Sequence, residues 1–174
     1  MSNERIDELK RIFITRLDAL DHILSVGEKH FPDMGRMLQE RLVDDMFPLG
    51  TQIAFACNQP RGFSQWCAGQ PIDNFGRDVT TMEMARSHLR DTKARVAAIS
   101  VDDTKLDDIK RIGLGPGLYC ELPGHRYVSD YLTPNLYFHI TTAYAILRHH
   151  GAPVGKTDFM MFLAPYVREE EPSA

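Results

Sequence analysis

The sequence is short of several things, and each shortage removes a class of protein. It has no cationic surplus: 20 Lys and Arg stand against 24 Asp and Glu, a formal charge of −4. Nucleic acid and anionic membrane surfaces are held through clustered positive charge, so neither is an expected partner. It has only three cysteines, Cys57, Cys67 and Cys120, and no Cys-x-x-Cys pair. An odd, scattered set reads as reduced thiols in a cytoplasmic protein, with Cys57 in an apolar run bound for the core. The opening stretch MSNERIDELKRIF carries charges through its first apolar positions. Neither a signal peptide nor a membrane span is built that way. There are no internal repeats and no low-complexity tracts.

What is present suits one globular domain over residues 1–174, with 43% hydrophobic and 25% charged residues. Ile6, Leu9, Phe13, Leu17, Leu20 and Leu24 recur at three- and four-residue steps, which predicts a helix over 5–26 with Gly27 as its stop. A connector follows, in which Met37, Leu38 and Leu42 would form the inner face of a short helix. A second long helix starts near Pro48 and runs to about Cys67. Pro60 in its interior should kink it or split it in two, because the ring clashes with the carbonyl of Ala56. The aromatic content around Phe55, Phe63 and Trp66 exceeds one core's needs and suggests a homodimer face. A third helix covers 80–100, with Thr80 and Glu83 as a capping box. Its series Met82, Leu89, Val96 and Ala85, Thr92, Ile99 are what a bundle seam needs.

After a turn-rich segment, LYCELPGHRYVSDYL reads as a short β-hairpin. Tyr119, Glu121, Arg126 and Val128 lie in its arms and Pro123-Gly124 at its turn. The last helix starts at Thr133 as cap with Pro134 in its first turn, or earlier at Ser129. Its apolar stripe is Leu136, Ile140, Ala143 and Leu147, and Gly151 ends it in a left-handed conformation. Phe159 and Phe162 should fold back on the bundle, and the charged tail from Arg168 should fray.

HHGAPVGKTD, residues 149–158, resembles a phosphate-binding loop at first sight. Such a loop needs four residues between its first glycine and Gly-Lys-Thr, set between a strand and a helix. Here His150 occupies the first glycine's place and a helix precedes, so no nucleotide is expected. His149 and His150, about 100° apart on a helix end, cannot easily chelate one ion. His22, His30, His88 and His125 show no partner spacing and read as solvated.

The blocks RLVDDMFPLGTQIAFAC and TPNLYFHITTAYAILRHHG, the latter followed by PVGKTDF, resemble a bacterial family catalogued as a domain of unknown function. That family is placed in the DinB/YfiT-like superfamily of four-helix bundles. The resemblance covers nearly the whole chain. It is most specific from Asn135 to Phe159, with Tyr137, His139, Thr142, Tyr144, Arg148, Gly155 and Asp158 in place. It implies an all-α up-down-down-up bundle, here with a helical connector and a small hairpin before the last helix. Many superfamily members hold a divalent metal on three histidines, one from the second helix and two, four residues apart, from the last. Some are transferases acting on a small thiol, and others are read as hydrolases.

Tested against that chemistry, the three-histidine set is absent. His139 has Asn135 four residues before it and Ala143 four after, and the second helix has Asn58-Gln59-Pro60 and no histidine. No metal is therefore expected. A weak substitute site would use His139 with Asp45 or Gln59 and Asn135. Tyr137, Thr141, Tyr144 and Arg148 share another flank, which either packs between helices or lines a polar pocket where Arg148 clamps a carboxylate. Two readings stand. One is a binding or interaction protein with a degenerate metal site, dimeric, with room for a small-molecule ligand. The other is a metal-dependent small-thiol transferase or hydrolase with zinc or nickel at a variant site around His139. Asn58, Gln59, Asn135, Tyr137, His139, Tyr144 and Arg148 are the pocket candidates.

Overall fold

A computed structural model describes residues 3–168. The tail expected to fray lies outside the described residues, Arg168 excepted. Helix α1 spans Glu4–His30, α2 Met34–Met37, α3 Leu49–Cys67 and α4 Met82–Ala97. A 3-10 turn, Asp103–Asp107, leads into strands β1, Ile109–Gly115, and β2, Leu118–Pro123. One unbroken helical run follows: α5 Gly124–Arg126, a π-helical segment Tyr127–Leu132, and α6 Thr133–His149. The short helix α7, Lys156–Phe159, and a 3-10 turn, Met161–Tyr166, close the described chain. Helix α3 packs against both α4 and α6, and α1 against α4, so four helices share one core.

The predicted stripes point inward. Ile6, Phe13, Leu17, Leu20 and Leu24 of α1 are buried with Leu136, Ile140, Ala143 and Leu147 of α6. Several local expectations change once the chain is folded. Gly27 does not stop α1. It lies inside the helix, and a Cβ there would come within 3.0 Å of Leu147 Cδ2, so glycine lets α1 and α6 approach. The chain leaves at Phe31, whose N–H bonds the Gly27 carbonyl. The connector helix is only four residues long, with Met34, Met37 and Leu38 buried and Leu42 half-buried. Helix α3 passes through Pro60 as a single element rather than as two helices. Thr81, not Thr80, caps α4, accepting from the N–H of Met84. The capping position then pairs with Met84 rather than Glu83, and no capping box forms. Of the three aromatics named for a dimer face, Phe63 is fully buried, Trp66 is 8% exposed and Phe55 is half-buried.

The hairpin exists but is displaced. Its turn is Gly115-Pro116-Gly117, and Ile112 opposite Cys120 anchors it on the bundle. Gly115 and Gly117 both have positive φ, +130° and +73°, which explains glycine on each side of Pro116. Pro123-Gly124 instead begins the last helical run, and Arg126 and Val128 are helical. Gly124 lies where a Cβ would meet the Trp66 ring and the Leu106 backbone.

Thr133 is correspondingly no cap but sits mid-run with helical dihedrals. In an ideal α-helix the ring of Pro134 would clash with the carbonyl of Asp130. The wider π turn just before it relieves that clash. Gly151, at φ +98°, does end the run, and the Ala152 N–H returns to the Leu147 carbonyl at 3.0 Å.

The 149–158 stretch is a helix end and a turn. The Asp158 carboxylate accepts from the Gly155 N–H at 2.8 Å and pairs with His22 Nε2 at 2.8 Å. His22 is thus not simply solvated: it ties α7 to α1. His88 is not solvated either, since it stacks on Phe75 with centroids 3.8 Å apart. Phe159 packs on Tyr144, and Arg16 lies over Phe162 at 3.5 Å, so the chain end does fold back on the bundle. Among the described residues no helix is long and apolar enough to cross a membrane.

Candidate functional site

Helix α3 is buried on nearly every side, yet it carries Thr51, Gln52, Asn58, Arg61, Ser64 and Gln65 among its buried residues. Buried polar groups need partners, and here most of the partners are backbone atoms of the loop 68–81. Thr51 Oγ1 donates to the Arg77 carbonyl at 3.0 Å. Asn58 holds Phe75 twice, accepting its N–H at 2.8 Å and donating to its carbonyl at 3.4 Å. Gln65 brackets Asp73 in the same way, at 3.2 and 3.3 Å. Arg61 donates to the Asp73 carbonyl at 2.7 Å, pairs with the Asp73 and Asp91 carboxylates, and lies 4.3 Å over the Phe75 ring. The loop lacks helix or strand hydrogen bonds, and α3 supplies substitutes.

Stitched down in this way, the loop forms one wall of a cleft of about 680 Å³. Phe55, Gln59 and Gly62 of α3 form its base, β1 contributes Lys110 and Ile112, and the last helical run contributes Tyr127, Tyr131, Asn135 and His139. Those four residues are spaced by fours. In an α-helix each such step overshoots a full turn by about 40°, so the set would drift around the helix. The π segment has more residues per turn and offsets the drift, which keeps all four on the cleft side. Tyr127 and Tyr131 stack at 5.9 Å, and Tyr127 meets the buried Trp66 edge-on at 5.5 Å.

His139 is the chemical centre of this wall. Its Nδ1 is 2.8 Å from Gln52 Oε1, and Gln52 Nε2 donates to the Phe47 carbonyl at 3.0 Å. A carbonyl only accepts, so it fixes the amide orientation, and the amide oxygen in turn requires a proton on Nδ1. Burial pulls the imidazole down to about 4. It is therefore neutral near pH 7, with an unprotonated Nε2. Gln59 and Asn135 behave alike. Each spends its NH2 on the carbonyl four residues back, Phe55 at 3.0 Å and Tyr131 at 2.6 Å. Their amide oxygens and His139 Nε2 have no partner among the described residues, yet none is a buried unsatisfied atom. Three acceptors are thus open to solvent on residues that line one cleft.

The remaining candidates lie elsewhere. Tyr137 accepts from Arg16 Nε at 2.8 Å on the α1 side. Tyr144 meets Phe159 at 6.0 Å, and exposed Arg148 reaches the Ala152 carbonyl at 3.4 Å. That flank packs the chain end and lines no part of the cleft. Asp45 is exposed in the connector, away from the cleft lining. Among the described residues no three His, Cys, Asp or Glu side chains group to hold a metal. One imidazole with two neutral amides does not fit zinc or nickel, because no anionic donor offsets the loss of the ion's water. Cys57 and Cys67 are buried, with burial pushing each thiol up to about 12, so neither supplies a thiolate.

A family model matches residues 7–160, nearly the whole chain. The chain belongs to the DUF1993 family, a domain of unknown function. A solved structure shares the fold: a crystal structure of a DinB family member protein from Shewanella denitrificans is 28% identical. That match has a TM-score of 0.77 and covers 98% of this chain and 97% of the other. No curated protein matches this chain. The fold of this chain is thus a DinB-like helical bundle with a two-stranded hairpin ahead of its last helical run.

The sequence reading missed Phe55, Phe75, Arg77, Lys110, Tyr127 and Tyr131 as cleft residues. The four-residue spacing of Tyr127, Tyr131, Asn135 and His139 was a usable signal. The hairpin reading of residues 118–132, which takes in Tyr127 and Tyr131, hides it. Nothing local marks Arg77 or Lys110, which come from a loop and a strand far apart in sequence.

Proposed function

We propose that this DUF1993 protein binds a small molecule in the cleft between α3, the 68–81 loop, β1 and the π segment. One observation carries the reading: a half-buried, neutral His139 whose tautomer is set by Gln52 and whose Nε2 is left unpartnered on a wall of the cleft. A packing histidine needs no such arrangement, whereas a ligand with a donor group does. The imidazole is too weak a base, at about 4, to move protons efficiently near pH 7, so the reading is of binding rather than acid–base catalysis. The misfit of the donor set to a transition metal also speaks against a metal-dependent transferase or hydrolase.

The test is an NMR titration of the 15N-labelled protein with phenol and benzamide, two neutral probes that fit an aromatic-lined cleft. Shifts should concentrate on Tyr131, Asn135, His139 and the 72–77 loop. Shifts confined to other surfaces, or none at millimolar concentrations, would refute the reading.

A further inference from the structure

The cleft has a chemical polarity that narrows its ligand. No Asp or Glu lines it, while Arg77, Lys110 and Arg111 do. These cations are not equivalent. Lys110 and Ile112 are two residues apart on β1 and share a face, and Ile112 is buried against the bundle. Lys110 therefore faces inward, with Nζ 5.8 Å from the Tyr127 ring. Arg111 is on the other face, opposite Glu121 and stacked on Tyr119 at 3.8 Å, so it is already occupied. Arg77 lies near two rings, Phe47 at 5.1 Å and Phe55 at 5.8 Å, looser than the Arg111 stack, and Phe55 stands 5.2 Å from the His139 ring. One aromatic ring thus separates its guanidinium from the imidazole. Neither Arg77 nor Lys110 has a carboxylate partner among the described residues. Set against these two cations are the three open acceptors already described, His139 Nε2, Gln59 Oε1 and Asn135 Oδ1.

A purely apolar ligand would pair with neither set, and a neutral donor or a bare anion with only one of them. We infer that the ligand is a small, flat organic oxyanion that also carries a hydroxyl or amino group. Its carboxylate or phosphate is set against Arg77, one ring away from His139, its donor group against His139, Gln59 and Asn135, and its body against Phe55 and Phe75, while Lys110 at the Tyr127 end adds to the positive potential of the cleft. Lys110 is partly desolvated and repelled by Lys105, both of which lower its affinity for its own proton. A bound anion would offset both effects. The inference rests on the cleft being a binding site and adds the chemistry of what it takes.

The experiment compares 4-hydroxybenzoate, benzoate, 4-hydroxybenzamide and 4-hydroxyphenyl phosphate by calorimetry and NMR on the full chain. At least one of the two hydroxylated oxyanions should bind about tenfold or more tighter than benzoate, which lacks the donor, and than 4-hydroxybenzamide, which lacks the charge. The tighter of the two identifies the oxyanion. Arg77→Gln with Lys110→Gln should bring the preferred probe down to the level of 4-hydroxybenzamide. Both side chains have solvent access, so the fold is preserved. His139→Phe should abolish the advantage of the hydroxyl while benzoate affinity stays within about threefold. If 4-hydroxybenzamide binds as tightly as the oxyanions, the anion assignment is overturned and the cleft remains a binding site. An unchanged affinity in the double variant overturns it equally. If no probe, charged or neutral, shifts the cleft signals, both readings fall.

Discussion

Protonating His139 should loosen the fold, and the effect can be sized. Burial lowers this imidazole from its ordinary 6.5 to about 4. Between those values the unfolded chain binds a proton that the folded chain refuses. Stability is therefore complete above about pH 6.5, declines as the pH falls, and levels off below about 4. The full interval corresponds to at most about 3 kcal/mol. The imidazole is partly open to the cleft, and solvent screening reduces that to about 1–2 kcal/mol. Asp102, Asp130 and Asp158 also hold lowered carboxyls, so acid destabilises wild type for other reasons too. The comparison with His139→Gln removes them. Gln cannot titrate, and its amide can still donate to Gln52. Urea unfolding at intervals from pH 7 to 4 should show wild type losing about 1–2 kcal/mol more than the variant. In parallel, 15N chemical shifts of the ring should report a single Nδ1–H tautomer throughout pH 6–8. Parallel stability profiles, or a His139 that titrates near 6.5, would refute the placement of this residue and with it the neutral acceptor on which the functional reading stands.

Three further outcomes are expected. Gly50→Ala should cost about 3 kcal/mol, a fall in Tm of about 6–12 °C, because its Cβ would overlap the Val79 carbonyl oxygen and lie 3.1 Å from that of Leu38. An unchanged melting curve would show that the loop does not lie against α3 there. Arg61→Met should destabilise by about 1–3 kcal/mol and should speed amide exchange in residues 70–79 more than elsewhere, since Arg61, 7% exposed at its side chain, holds Asp73 and Phe75. Uniform exchange would mean the loop is held by other contacts. ATP and GTP should not bind at micromolar concentrations, and Lys156→Ala should change nothing. Lys156 is an exposed residue opening a four-residue helix, and nucleotide affinity lost in that variant would overturn the rejection of the phosphate loop.

The helices and their inward faces are legible in the sequence because they depend on near neighbours. A three- and four-residue apolar period decides which side of α1, α4 and α6 is buried whatever it packs against. Gly151 also speaks locally, since a left-handed residue after a helix needs little beyond its own backbone. The family resemblance added the bundle topology. Asn135 stands out by its four-residue offset from His139, and Asn58 and Gln59 by the positions that the family resemblance marks on the second helix.

What the tertiary structure alone decided lies where two distant segments meet. Gly27 reads as a stop in isolation and becomes a packing point because Leu147 arrives beside it. Pro123-Gly124 reads as a turn, but the strand that pairs with β2 comes before it, and Gly124 is required by Trp66 and Leu106. The π segment follows from fitting Pro134 into a run anchored at both ends. The cleft shows the same division. His139 was visible as a residue, but its charge state, its tautomer and its open nitrogen depend on burial, on Gln52 87 positions away and on the Phe47 carbonyl behind it. A sequence carries the period of a helix in its nearest residues. Desolvation and hydrogen-bond direction are set by atoms that become neighbours only when the chain has folded.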